Sequence, residues 1–173
     1  MFDSLNFFKK KKTTQLGVEL DHLSNLYLNS SSSQKIKKAV SFADQAHQGQ
    51  FRKSGEPFII HPINVGMILA SLKMDADTII AGLLHDVVED CDISLAEVRK
   101  EFGRNVSKLV DGMTKLLQLD EKLKDQSQAE YFQNMALATA EDVRVVIIKL
   151  ADRLHNLKTI EHLPRHKQIK KSK

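Results

Sequence analysis

Apolar residues recur at helical spacing along most of the chain from residue 34 onwards. Ile36, Val40, Ala43 and His47 are separated by four, three and four residues, so they share one face of a helix. Gly49 follows this run and is expected to end the helix. The same period returns between residues 106 and 117, which predicts a second amphipathic helix.

Shorter helices are predicted between these two. Pro62 suits the first turn of a helix and would leave His61 at its N-terminal end. Ser94 and Glu97 form a capping box for a helix that Gly103 closes. Three apolar pairs repeat every four residues and predict one continuous helix through residue 90. These pairs are Ile79 and Ile80, Leu83 and Leu84, and Val87 and Val88.

The segment 143–148 supports two competing interpretations. Its valines and isoleucines favour a strand. An apolar face at helical spacing nevertheless continues from it through Leu157, and no Gly or Pro interrupts it. The length of this face favours a buried helix, so we predict an all-α fold.

The two ends of the chain are predicted to be less ordered than its middle. Residues 1–33 hold a run of four lysines and a run of four serines around a modest apolar stretch. They indicate a weakly ordered extension in which the two runs are solvated and the middle stretch is at most a short helix. Residues 164–173 form a basic tail. The domain is expected to occupy residues 34–163, with a mobile loop at 118–127 and a further helix at about 128–138.

Composition and charge narrow the class of protein. The 42% hydrophobic and 28% charged content of the 173 residues is typical of a soluble globular domain, and no apolar run suits a membrane span. One cysteine, Cys91, and no visible signal-peptide pattern lead us to expect a cytoplasmic protein. The net charge of +4 comes mostly from the tail, since residues 34–163 carry −2, so we expect no DNA- or RNA-binding face.

The candidate chemistry lies in a set of two imidazoles and two carboxylates. The set comprises His61, His85, Asp86 and Asp152. Mixed nitrogen and oxygen donors of this kind bind one divalent cation and leave positions open for water and substrate. The alternative is a surface helix with ordinary charges, which explains poorly why the polar pairs His85-Asp86 and Glu89-Asp90 are one helical turn apart.

On one continuous helix, residues four apart lie on nearly the same face. His85 would therefore lie beside Glu89, and Asp86 beside Asp90, with the acidic pair just beyond the metal. A second polar stripe follows on a mostly apolar helix and comprises Asp152, Asn156 and Thr159. Such a stripe costs desolvation energy unless it faces solvent or lines a site.

Taken together, these segments resemble the hydrolase domain of the RelA/SpoT-homologue alarmone enzymes, a branch of the HD-type metal phosphohydrolases. The resemblance runs from about residue 35 to 163 and rests on five motifs in order. These are AHQGQFRKSGEP at 46–57, HP at 61–62, LHDVVED at 84–90, LVDGMTK at 109–115 and IKLADRLHN at 148–156. The fold that this resemblance implies is an HD-domain helical bundle.

The resemblance implies a role for each matching position. The metal, typically Mn²⁺ in this family, would be held by His61, His85, Asp86 and Asp152; the residue types alone fit other divalent cations as well. The attacking water would be positioned and deprotonated by Glu89 and Asp90. Contacts to the nucleotide would come from Arg52, Lys53, Asn156 and Thr159.

The implied reaction is removal of pyrophosphate from the 3′ position of guanosine tetra- or pentaphosphate, which gives GDP or GTP. That nucleotide is the expected partner; we expect no membrane association, and homo-oligomer formation stays open. Two alternatives are kept. One is a catalytically impaired, truncated remnant that binds nucleotide or a partner, and the other is a related phosphohydrolase that acts on another nucleotide such as NADPH.

Overall fold

The computed structural model describes residues 2–122 and 141–162, together with residues 165 and 168. Regular structure in this part of the chain is helical, apart from an isolated antiparallel bridge between Phe51 and Pro57. The helices are α1 (Phe2–Asn25), α2 (Ser30–Ala46), α3 (Ile60–Ser71), α4 (Ala76–Leu83), α5 (Val87–Asp90), α6 (Leu95–Phe102), α7 (Arg104–Lys122) and α8 (Val143–Lys158), followed by a 3-10 turn (Ile160–His162). The predicted all-α fold is confirmed.

Side-chain caps set the start of four helices. The residues are Asn29 before α2, Asp75 before α4, Ser94 before α6 and Asp142 before α8, and each accepts a hydrogen bond from a backbone N–H of the first turn. A cap of this kind stabilises a helix by about 1 kcal/mol. The capping box predicted at Ser94 and Glu97 is present, and α6 ends at Gly103, where a φ of 92° suits glycine.

Helix α3 lies at the centre of the molecule. It packs against α1, α4 and α8, while α7 covers α4, α6 and α8. The core is aliphatic, and its fully buried members include Leu20, Ile36, Ile63, Leu69, Ile79, Leu83, Leu109 and Ile148. His61 near the start of α3 is therefore held by neighbours on several sides.

Helix α1 lies in the stretch for which the sequence predicts weak order. Leu16, Leu20 and Leu23 share one face of this helix, and they pack against the core with Leu20 fully buried. The hydroxyl of Ser33 donates to Asn25 Oδ1 at 2.6 Å and ties α2 to α1. The apolar stretch of the extension is thus helical, because an amphipathic helix gains stability once a partner covers its apolar face. The boundaries of the domain stay a prediction.

The continuous helix predicted through residue 90 is wrong. Helix α4 ends at Leu83 and α5 begins at Val87, so His85 and Asp86 lie in a turn between them. The Nδ1 atom of His85 lies 2.8 Å from the carbonyl oxygen of Gly82. In an unbroken helix that carbonyl would accept from the N–H of Asp86. A side chain therefore takes the place of a main-chain partner at the break.

Two further predictions have different outcomes. The segment 143–148 is helical, as predicted, because α8 runs through it. The loop predicted at 118–127 is wrong for its first residues, since α7 continues to Lys122. The helix predicted at about 128–138 and most of the tail at 164–173 lie outside the described residues.

No helix in the described part of the chain has the length and apolarity needed to cross a bilayer.

Candidate functional site

The four predicted metal ligands come from three elements and meet in one buried cluster. His61 is the second residue of α3, His85 and Asp86 occupy the turn after α4, and Asp152 lies in α8. His61 Nε2 lies 3.1 Å from Asp152 Oδ1 and 3.8 Å from Asp86 Oδ2. His85 Nε2 lies 3.0 Å from Asp86 Oδ1 and 3.9 Å from Asp152 Oδ1. The fold thus brings together residues that are up to 91 positions apart.

The donor atoms of this cluster fit a divalent cation. His61, His85 and Asp86 each offer a ligand atom, and these atoms lie within 4.8 Å of one another. The Nε2 atom of His85 is buried and has no partner with hydrogen-bond geometry among the described residues, although Asp86 is close. A buried nitrogen without a partner is costly, and coordination of a cation would remove that cost. Two imidazoles with carboxylate oxygens form a suitable donor set.

The charges in the cluster are strongly coupled. Burial lowers the pKa of His85, but the carboxylates of Asp86 and Asp152 outweigh it and raise that pKa to about 9. Burial raises the pKa of Asp152, but the hydrogen bond from His61 and the charge of His85 outweigh it and hold the pKa at about 2. Burial is also the main reason that the pKa of His61 is lowered. A cation therefore competes with a proton on His85.

The predicted acidic pair lies immediately beyond the turn. Glu89 and Asp90 are in α5, both are exposed, and both line a cavity of about 410 Å³. Although both side chains reach solvent, each carboxyl loses part of its hydration, and this desolvation and the negative charge of Asp86 raise the pKa of both groups. A carboxylate with a raised pKa is a stronger base. The helix break means that the shared helical face predicted for His85 and Glu89 does not exist.

Three of the four predicted nucleotide contacts form one hydrogen-bonded group beside the cluster. Arg52 lies in the loop between α2 and α3, and its guanidinium donates to Asn156 Oδ1 at 2.8 Å and to Thr159 Oγ1 at 3.4 Å. The Asn156 amide donates to Asp152 Oδ1 at 2.6 Å. Lys53 follows Arg52 in the same loop and is exposed. The group is therefore linked directly to a predicted metal ligand.

His155 is a member of the site that the sequence interpretation leaves without a role. Its Nδ1 atom lies 2.7 Å from Nδ1 of His61, and both rings are buried. Burial, followed by the charges of His61 and Arg52, lowers the pKa of His155 to about 4. The sequence could have indicated a role for His155, because it follows Asp152 by three residues and the two side chains therefore lie on nearby faces of one helix.

Two other residues, Lys149 and Gln50, act on the candidate site through charge and hydrogen bonding. Lys149 is almost fully buried in α8, and its positive charge favours the ionised forms of Asp152 and Glu89, although the pKa of Glu89 stays raised overall. The Nε2 atom of Gln50 donates to the carbonyl oxygen of Asp90 at 2.9 Å. The Oε1 atom of Gln50 lies 2.8 Å from Nδ1 of His47. Gln50 thus connects the end of α2 to the acidic pair, a long-range contact without a sequence signal.

This helical bundle, with His and Asp side chains converging at a helix break, has the architecture of an HD domain. The chain matches the HD domain family over residues 39–173 and belongs to that family. Within the family its relatives include proteins named as GTP pyrophosphokinases and others named as (p)ppGpp hydrolases. It is 48% identical over 146 residues to a GTP pyrophosphokinase of Streptomyces coelicolor and 44% identical over 144 residues to a guanosine-3′,5′-bis(diphosphate) 3′-pyrophosphohydrolase of Borreliella burgdorferi.

It is also 43% identical over 144 residues to the bifunctional (p)ppGpp synthase/hydrolase SpoT of Escherichia coli. These alignments cover 84%, 83% and 83% of this chain but 17%, 22% and 20% of the relatives. The chain thus spans about a fifth of their length.

A solved structure supports the same relationship. It superposes on this chain with a TM-score of 0.62 and is 32% identical to it in sequence. The match covers 82% of this chain and 79% of the solved chain. That protein is described as a metazoan ortholog of SpoT that hydrolyzes ppGpp and plays a role in starvation responses. The resemblance to the hydrolase domain of RelA/SpoT homologues is confirmed.

Proposed function

We propose that this chain hydrolyses the 3′-pyrophosphate of guanosine tetra- or pentaphosphate to GDP or GTP and pyrophosphate, with Mn²⁺ as its metal. The observation that carries the proposal is the link between the two predicted groups. Asn156 bonds Asp152 at 2.6 Å and Arg52 at 2.8 Å, so a cluster suited to a metal adjoins one suited to a nucleotide. The names of the relatives and the described activity of the metazoan ortholog point to the same substrate.

The proposed reaction forms a bond between a water oxygen and the phosphorus attached to the ribose 3′ oxygen, and it breaks the bond to that oxygen. The 3′ oxygen leaves with a proton, and the attacking water gives one up. When bound, a divalent cation supplies Lewis-acid activation of water and phosphate. Glu89 and Asp90 are the proposed acceptors of the water proton, because both follow directly after the turn that holds His85 and Asp86 and both have a raised pKa.

Electrostatics support the need for a cation. Four carboxylates cluster here, and a substrate with several phosphates would be repelled by them. Arg52 supplies one positive charge on the nucleotide side. A divalent ion among the carboxylates would reduce the repulsion and orient the phosphate. Mn²⁺ is the proposed ion because of the family, since the donor set also suits other divalent metals.

The direct test is release of pyrophosphate from guanosine tetraphosphate by protein that is first stripped of metal and then loaded with Mn²⁺. We expect turnover only with metal, and loss of turnover in His85→Ala. The matched control is His22→Ala, which removes an exposed histidine of α1 and should leave activity unchanged. Folded, metal-loaded protein without turnover would contradict the proposal.

A nucleotide panel separates this function from its alternatives. Guanosine pentaphosphate, GTP and NADPH are offered beside the tetraphosphate. Preferred turnover of NADPH would indicate a related phosphohydrolase, and binding of guanosine tetraphosphate without hydrolysis would indicate an impaired remnant. Cleavage of tetra- or pentaphosphate with release of pyrophosphate supports the proposal.

Location and assembly also belong to the proposal. A cytoplasmic location is consistent with the free thiol of Cys91, whose pKa is raised mainly by burial. Self-association is supported by exposed apolar side chains on α8, which are Val143, Leu150, Leu154 and Leu157. Light scattering coupled to size-exclusion chromatography measures the mass in solution. A monomer at all concentrations would exclude the homo-oligomer.

A further inference from the structure

The close contact between His61 and His155 requires a definite arrangement of protons. The two Nδ1 atoms are 2.7 Å apart, the ring centroids are 4.9 Å apart, and the residues are 94 positions apart in the chain. At that separation one nitrogen carries the proton and the other accepts it. Both residues are buried, at 3% and 6% exposure, so water does not readily replace this partner.

The other nitrogen of His61 decides which arrangement suits a metal. His61 Nε2 faces the carboxylate cluster, 3.1 Å from Asp152 Oδ1. A neutral imidazole that binds a cation through Nε2 carries its proton on Nδ1. That proton needs an acceptor, and the atom at hydrogen-bond distance is Nδ1 of His155.

We propose that His155 is a positioning residue for the candidate metal centre. It accepts the Nδ1 proton of His61, so it selects the tautomer of His61 whose Nε2 is free to bind a cation and holds the ring in place. Carboxylates and backbone carbonyls usually have this role beside metal-ligating histidines. Here the acceptor is a second imidazole. The inference rests on the metal site of the proposed function but is independent of the substrate.

The surroundings of the two rings support this assignment. The ring of Phe58 lies edge-on to His61 on one side, with centroids 6.2 Å apart, and His85 lies 5.3 Å away on another. Neither ring offers an acceptor to Nδ1, because the Phe58 side chain has no polar atom and the Nδ1 atom of His85 is engaged with Gly82. The backbone carbonyl of His155 in turn accepts from the Thr159 hydroxyl at 3.1 Å, which anchors the end of α8.

The proton arrangement is expected to reverse between the metal-free and metal-loaded protein. Without metal, His61 Nε2 carries a proton directed to Asp152, and His61 Nδ1 accepts from Nδ1 of His155. With metal, His61 carries its proton on Nδ1, and His155 carries its own on Nε2. Each ring holds one proton in both states, so the pair releases none when the metal binds.

Three substitutions at His155 separate an acceptor from a packing role. Asparagine has an oxygen where histidine has Nδ1, so His155→Asn retains the acceptor. His155→Gln places its amide near the position of Nε2, and His155→Leu keeps apolar volume without an acceptor. Loss of such a partner typically weakens metal affinity about 10- to 100-fold. We expect that loss in the Leu and Gln variants, and no more than about a threefold loss in the Asn variant.

The first readout is Mn²⁺ affinity without nucleotide, from the electron paramagnetic resonance signal of the free ion. The second is the tautomer of His61 in Zn²⁺-loaded protein, from long-range proton–nitrogen correlation spectra, with protonated Nδ1 expected in the wild type and the Asn variant. Circular dichroism and thermal melts establish that each variant is folded.

Several outcomes would overturn the inference. One is a folded Leu variant that binds Mn²⁺ as tightly as the wild type, and another is an Asn variant as weak as Leu. Protonated Nε2 on His61 in the metal-loaded wild type, or a wild type that takes up no metal, would also do so. Mn²⁺ affinities that are high in the wild type and the Asn variant and low in the Gln and Leu variants would support the inference. If the same wild type did not turn over guanosine tetraphosphate, only the proposed function would be contradicted.

Discussion

The contact between α7 and α8 makes Gly112→Ala a sharp test of the packing. A Cβ atom at Gly112 would lie 2.7 Å from Val145 Cγ2 and 3.4 Å from Val145 Cγ1. Carbon atoms in good contact are about 3.5–4.0 Å apart, so the new methyl group is too close by roughly 1 Å. Val145 is buried and β-branched within a helix, and its side chain has essentially one rotamer there. The two helices therefore have to separate.

The expected magnitude follows from two opposing effects. An added methyl group in a filled core costs about 1–3 kcal/mol. Replacing glycine by alanine inside a helix gains about 1 kcal/mol. The close approach to a stiff valine puts the cost in the upper part of its range, so we expect a net destabilisation of about 1–2 kcal/mol. For a chain of this size, that lowers the melting temperature by roughly 2–8 °C.

The assay is urea unfolding, with Gly17→Ala as the matched control. Gly17 is also inside a helix, but an added Cβ would meet nothing closer than Val40 Cγ1 at 3.9 Å. That variant should be as stable as the wild type or up to about 1 kcal/mol more stable. The double variant Gly112→Ala, Val145→Ala removes the overlapping methyl groups and should show a favourable coupling of about 1 kcal/mol. Equal stability of the Gly112 and Gly17 variants, or an additive double variant, would refute the reasoning.

Three further predictions concern pH, metal and a cap. The raised pKa of His85, about 9, contributes stability to the metal-free protein below pH 6.5, and this stability is lost as the pH rises through 9. The lowered pKa of His155, about 4, causes a loss of stability as the pH falls from 6.5 towards 4. The urea concentration at the unfolding midpoint should therefore be highest near neutral pH. A midpoint that does not change with pH would contradict this. Mn²⁺ at a hundred times its Kd should raise the free energy of unfolding by about 2.7 kcal/mol, with no such rise in thermal melts of Asp152→Asn. Ser94→Ala should cost about 1 kcal/mol in urea unfolding through loss of the α6 cap, and an unchanged midpoint would show that the cap contributes nothing.

The helices and their ends were largely readable from the sequence, because helix periodicity and capping are local. The apolar spacing of Ile36, Val40 and Ala43 predicts α2, and Ser94 with Glu97 predicts the start of α6. The burial of Leu20 was not readable. An amphipathic helix in isolation carries no sign of whether another helix will cover it.

Some features of the candidate site could also be predicted from the sequence, and others only from the fold. Residue types and the family resemblance were enough to predict a set of candidate ligands, and the fold does bring His61, His85 and Asp152 together. Only the tertiary structure showed that His85 lies in a helix break and that His155 contacts His61. In both cases a side chain takes a hydrogen-bond partner that helical spacing does not predict: a carbonyl of its own helix in one, and a ring 94 residues away in the other. The second of these partners depends on where α3 and α8 pack against each other, and so only the assembled fold decides it.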